Sequence, residues 1–140
     1  MTPGAMILPI MAMALLSFVV FLWMLVSRSK AMSSRGLDAQ EAQDTRALRE
    51  KLPHEANRIA NNYNHLFEQP VVFYAICLSI EVLGHSDAFF VASAWVFVAL
   101  RVCHTLVQSL VDIVLLRFLF FGLAWIVLAT MTVRESFKLV

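Results

Sequence analysis

Charge is what this sequence has least of. Aspartate, glutamate, lysine and arginine make up 15% of its 140 residues, where a soluble domain carries roughly 25%. Hydrophobic residues reach 60% and fall in long runs, which excludes a well-solvated globular surface. The formal net charge is only +1, so no nucleic-acid partner is expected on electrostatic grounds. Cysteine is scarce too. Cys77 and Cys103 lie inside apolar runs and form no Cys-x-x-Cys. That argues against a disulfide framework or a metal site and predicts two small buried hydrophobes. No internal repeat or low-complexity segment appears, and a single domain, residues 1–140, is the default at this length.

A basic stretch ahead of the first apolar run is also missing. Met1-Thr2-Pro3-Gly4 carries no positive charge, the run from Ala5 to Val26 is long enough to span, and Arg28 and Lys30 follow it. This is the pattern of a retained membrane helix, not of a cleaved signal.

What is there is four such runs. They predict an all-α integral membrane four-helix bundle, with helices over about 6–27, 54–83, 88–109 and 112–134 and a polar loop over about 28–53. Within the loop, Asp38 is placed to cap a solvated helix reaching Leu52, and Arg46 and Glu50 stand at i,i+4. Its stripe of Leu48 and Leu52 is too thin for the membrane surface. Pro53 suits the first turn of the second membrane helix. At about 1.5 Å per residue that helix is about 45 Å long against a hydrocarbon core of about 30 Å, so its first turns should stand in water. Pro70 should kink it. Gly84 to Asp87 reads as a short turn, and Asp112 as the N-cap of the fourth helix. Arg28, Lys30, Arg35, Arg46, Arg49, Lys51 and Arg58 all fall in or beside the long loop. The positive-inside rule therefore puts that loop in the cytoplasm and both termini on the other side.

The informative residues are the polar ones inside the apolar runs, since an intramembrane charge costs roughly 2.5–3.5 kcal/mol and normally faces the bundle interior or a cavity. Arg58, Asn61, Asn62, His65, Glu68 and Gln69 recur at helical spacing on one face. So do Arg101, His104, Thr105, Gln108 and Asp112, and Arg117 follows on the fourth helix. Both stripes should meet in the cytoplasmic third of the bundle. One reading is that Glu68 pairs with Arg101 or Arg117 to fix packing while the rest snorkel. The other is that surplus positive charge awaits an anionic ligand, for which the arginine fork is suited. A third, a proton relay through Glu68, His65 and His104, lacks the broken helix pair of a transporter.

The stretches NHLFEQPVVFYA, RVCHTLVQ and LLRFLFFGLAW resemble the MAPEG superfamily, membrane-associated proteins in eicosanoid and glutathione metabolism, and within it small bacterial members. The resemblance covers most of the chain from Arg58 to Trp125. It implies a homotrimer of four-helix subunits, with glutathione as cosubstrate bound near the cytoplasmic side between subunits and a small lipophilic substrate arriving from the bilayer. It also implies a transferase or peroxidase, or a non-catalytic lipid-binding or scaffold member of the same fold, in a bacterial inner membrane. Matched to the microsomal prostaglandin E synthase branch, the chain keeps Glu68, Arg101, His104 and Arg117. It has His65 where an Asn would be, Gln108 where a Tyr would be, and Phe118 in place of the Ser after the helix-four arginine. Arg28 or Lys30 matches the basic residue ending helix one. The expected glutathione-binding residues are Arg28, Arg58, His65, Glu68, Arg101, His104 and Gln108, with Arg117 as the catalytic residue that favours the thiolate.

Overall fold

The computed structural model describes residues 4–139; Met1 to Pro3 and Val140 lie outside the described residues. Six α-helices are present among the described residues: α1 (Ile7–Ser34), α2 (Thr45–Lys51), α3 (His54–His65), α4 (Gln69–Val82), α5 (Ala88–Leu106) and α6 (Val114–Leu139). They make four stretches long and apolar enough to cross a membrane: α1, α3 with α4, α5 with the turn that follows it, and α6. The architecture is all-α.

Glycine sets two of the helix ends. Gly36 (φ 64°) and Gly84 (φ 68°) take the left-handed conformation that other residues avoid. After α1, Leu37 N–H reaches back to Met32 O and Gly36 N–H to Ser33 O; after α4, His85 N–H reaches Ile80 O and Gly84 N–H reaches Glu81 O. Both are Schellman closures. Helix α1 accordingly runs to Ser34 and not to residue 27, because apolarity ends at Val26 but the first stop signal is Gly36. Its start is capped from another helix: the Glu81 carboxylate on α4 accepts from the Gly4 and Met6 amides. A carboxylate there also suits the positive end of the α1 dipole.

The second span is broken where a kink was expected. Leu66 to Glu68 leave the helix, closed by tight bonds from Leu66 N–H to Tyr63 O and from Phe67 N–H to Asn64 O. Pro70 causes this, since it has no N–H and its ring clashes with the carbonyl four residues earlier. The join to the fourth span also differs from expectation. Val107–Val111 forms a π-turn, and Asp112 closes it with its N–H on Val107 O at 2.7 Å and φ 57°. Asp112 does not cap α6, because its carboxylate is held by the Arg117 guanidinium at 2.6 Å. Helix α6 begins at Val114 and continues to Leu139, beyond residue 134.

The core is a column of large side chains with Phe73 stacked on Phe97, 4.4 Å between centroids, flanked by Met13, Ile80, Leu128 and Met131. Cys77 is buried, as expected, but Cys103 is exposed. It stands two residues from the fully buried Arg101, hence on the outward side of α5.

The long loop is more built than its sequence promised. Residues Ala39–Gln43 form a 3-10 turn capped by Asp38, and Asp44 then caps the separate helix α2. Leu48 (1% exposed) and Leu52 (5%) pack with Ala31 of α1 and Ala56 of α3 in a second, small core. The thin stripe thus faces protein. Arg35 donates to Lys51 O, Lys51 pairs with Glu41, and Asn57 Nδ2 donates to Arg49 O at 2.8 Å. The Lys51 hydrogen bond is the main cause holding the Glu41 carboxyl below its ordinary range. Leu48→Ala, a change that costs ~2–5 kcal/mol at a core site, should free α2 locally. Limited proteolysis should cut residues 36–53 of this variant faster, with unchanged melting of the spans.

At the opposite end, Asp87 ties the α4–α5 turn to α6. It caps α5 through Phe90 N–H and accepts from Arg134 and Lys138 at 2.9 and 3.0 Å. Burial pushes its carboxyl up, but the Phe90 amide, Lys138 and Arg134 outweigh that and hold it at about 2. A folded value below the unfolded one, about 3.9, means the tie is complete above pH 4 and lost as pH falls through 2. Asp87→Asn should therefore lower the melting temperature at neutral pH, and its gap to the wild type should close between pH 4 and 2.

Candidate functional site

The break in the second span and the π-turn in the third bring main-chain irregularity to one region, and the polar residues gather there. Arg101, fully buried, donates Nη1 to Gln69 Oε1 and Nη2 to the His65 carbonyl, both at 3.2 Å. That carbonyl sits at the last residue of α3, where the helix stops, so the break supplies one of the acceptors the guanidinium needs. Gln69 also donates Nε2 to Phe121 O at 3.0 Å, linking the second, third and fourth spans through one amide. One turn away, Asn62 Nδ2 donates to Ser109 Oγ at 3.2 Å, and Thr105 Oγ1 lies 3.5 Å from Asn62 Oδ1.

Glu68 pairs with neither arginine, against the first expectation. It lies 3.1 Å from His65 Nδ1 with its side chain about half exposed. The helix break puts it in the loop, where its side chain makes no ion pair with Arg101. Arg101 is left with neutral acceptors only, and its Nε has no partner among the described residues. Arg117 is instead engaged by Asp112, whose other oxygen faces His54 Nε2 at 3.6 Å. Glu68→Gln should accordingly spare folding.

Among the described residues, two clefts are lined by these polar side chains. The larger, about 360 Å³, is polar. His65, Glu68, Gln108 and Arg117 line it together with Asn61, Asn64 and Arg49 from α2. The smaller, about 130 Å³, is mostly apolar, with Phe118 and Phe121 beside His104. His65 and Arg117 line both. Gln108 is 1% exposed, and its Oε1 has no partner among the described residues; the same holds for His104 Nδ1. Unsatisfied buried polar atoms of this kind are rare in native proteins and invite a ligand or ordered water.

Of the eight residues singled out from the sequence, five therefore line the clefts: His65, Glu68, His104, Gln108 and Arg117. Arg101 lies behind them as a structural centre. Arg28 and Arg58 line neither cleft, and their Nε atoms are buried without a partner among the described residues. Sequence reasoning missed Asn64 and Arg49. Asn61 and Asn64 share the helical face of His65, and extending that stripe would have found Asn64. Arg49 reaches the cleft only because α2 docks on α1 and α3, which no local pattern announces.

Chemically, the polar cleft offers guanidinium and amide donors and one carboxylate, and it adjoins an aromatic slot through a shared arginine. No curated protein and no solved structure matches the chain. The sequence model of the MAPEG family does match, over residues 6–135 and so from the first span into the last, and the chain belongs to that family.

Proposed function

We propose that this protein is a membrane-embedded, glutathione-dependent enzyme of the transferase or peroxidase type, acting on lipophilic electrophiles. One observation carries the reading: Arg117 lines both a polar cleft suited to a charged peptide and an apolar cleft suited to a greasy partner. Glutathione bears two carboxylates, one ammonium and a thiol. Arg117 and Arg49 suit the carboxylates, Glu68 suits the ammonium, and the Gln108 amide suits a peptide group. Glutathione would supply the nucleophilic sulfur. A free thiol has a pKa of about 8.5, and a neighbouring guanidinium favours its anion. Phe118 and Phe121 would hold the electrophile against that sulfur.

We further propose a homotrimer, with Arg28 and Arg58 serving a neighbouring subunit's cleft. The membrane is read as a bacterial inner membrane, with α2 in the cytoplasm and both termini outside, by the charge of the 28–58 region. Cysteines introduced at the exposed Ser34 and Ser136 should label from opposite faces of intact cells; labelling from one face would refute four crossings.

Native mass spectrometry with glutathione added tests the main reading. A trimer retaining glutathione is expected, and a species that never retains it would sink the proposal. A second reading, a non-catalytic lipid-binding or scaffold protein, is favoured by two facts: Phe118 stands where the family branch has a serine, and Asp112 already occupies Arg117.

A further inference from the structure

We infer that Arg49, carried by the loop helix α2, is a second anion-binding residue of the polar cleft, and that it makes the site selective for a ligand with two carboxylates over one with a single carboxylate. The inference rests on the peptide-thiol reading above and goes beyond it, assigning a ligand contact to a segment outside the four spans.

The argument begins with charge. Arg117 faces the cleft but is bound to Asp112, and Glu68 lines the same cleft. Without Arg49, the lining would offer one guanidinium, already shared with Asp112, beside the Glu68 carboxylate, and nothing would be left to hold a second anionic group. Arg101 does not repair this at the surface, since it is fully buried and lines neither cleft. Arg49 restores the balance. Two guanidiniums, one of them shared with Asp112, and the half-exposed Glu68 carboxylate beside His65 then suit a ligand with two anionic groups and one ammonium.

Geometry gives the same answer. Arg49 lines the polar cleft and not the apolar one, so it reads a carboxylate remote from the reacting sulfur, while Arg117 sits where the clefts meet. Its backbone is fixed. Leu48 beside it is buried, its carbonyl accepts from Asn57 Nδ2, and Asp44 caps its helix through the Arg46 and Ala47 amides. A side chain on an anchored helix loses less freedom on binding than one on a loose loop. No acidic side chain forms an ion pair with Arg49 among the described residues, which leaves its fork free for a ligand. The fork suits bidentate carboxylate binding.

Calorimetry on the full-length protein in detergent tests this with three ligands: glutathione, its glycine monoethyl ester, and cysteinylglycine, which lacks the γ-glutamyl carboxylate. Arg49→Ala should weaken glutathione about tenfold, one charge-assisted contact, and should leave one of the two truncated ligands unaffected. Arg49→Lys should recover part of the loss. Arg46→Ala, an exposed cation on the same helix, controls for the general field and should change nothing. Equal weakening of all three ligands by Arg49→Ala, no weakening of any, or the same loss in Arg46→Ala would each overturn the assignment of Arg49 while leaving the glutathione reading intact. A wild type that binds none of the three overturns both.

Discussion

Replacing Arg117 by alanine is expected to cost about 2–4 kcal/mol of glutathione binding, roughly 30- to 1000-fold, as for truncating an arginine at the centre of a binding site. The fold should survive. Arg117 sits at a helix start, with its side chain about a third exposed, and its partner Asp112 keeps His54. The loss should also appear in the thiol. Adding glutathione to the wild type should produce the ultraviolet absorbance of a bound thiolate at neutral pH, and Arg117→Ala should abolish it. Arg117→Lys should restore only part, since a point charge replaces a planar fork already shared with Asp112. Wild-type binding without thiolate absorbance would mean that the pocket recognises without activating, and the scaffold reading would win.

Arg101→Ala is expected to act on the fold, by about 3–5 kcal/mol. The change empties the space of the largest fully buried side chain among the described residues, orphans Gln69 Oε1 at a cost of about 1–3 kcal/mol, and leaves the His65 carbonyl with only the long Glu68 N–H contact of 3.4 Å. Gln69 also holds Phe121 of α6, so the disturbance should reach the apolar cleft. Thermal unfolding in detergent should show a large drop for Arg101→Ala. Arg101→Met, which removes a desolvated charge while filling most of the space, should fall less. If alanine and methionine are equally mild, Arg101 is not the centre the geometry describes.

The four spans were legible because lipid leaves little choice: a long apolar run must be a helix to satisfy its own backbone. The break beside Glu68 was legible through Pro70. Its consequence was not. A kink predicts a bend, whereas the released His65 carbonyl became an acceptor for Arg101, and Glu68 swung toward His65. Periodicity put His65, His104 and Gln108 on facing stripes, since those positions depend only on helical spacing, whereas Glu68 left its helix and Arg117 was added from the fourth span. It could not tell which arginine sits behind the pocket and which within it, because that depends on depth across the bundle. Asp112 was misread for a related reason. Its sequence neighbourhood is that of an N-cap, yet Arg117 five residues on competes for the same carboxylate and wins. Loop helix α2 shows where local reading stops: Leu48 and Leu52 gain their partners from residues on α1 and α3.

The pairing of cations on α5 and α6 has a consequence for biosynthesis. Arg101 bonds to His65 and Gln69, Arg117 to Asp112, Arg134 to Asp87, and Lys138 to Asp87 and the His85 carbonyl. In each case the acceptor precedes the cation in the chain. During synthesis, which runs from the N-terminus at about 5–20 residues per second, every one of these cations emerges after its acceptors are already made. An arginine entering the bilayer next to a finished span can exchange water for protein acceptors at once, without waiting for a segment still inside the ribosome. The order of the chain thus shortens the time for which an unpaired charge would have to be carried across lipid.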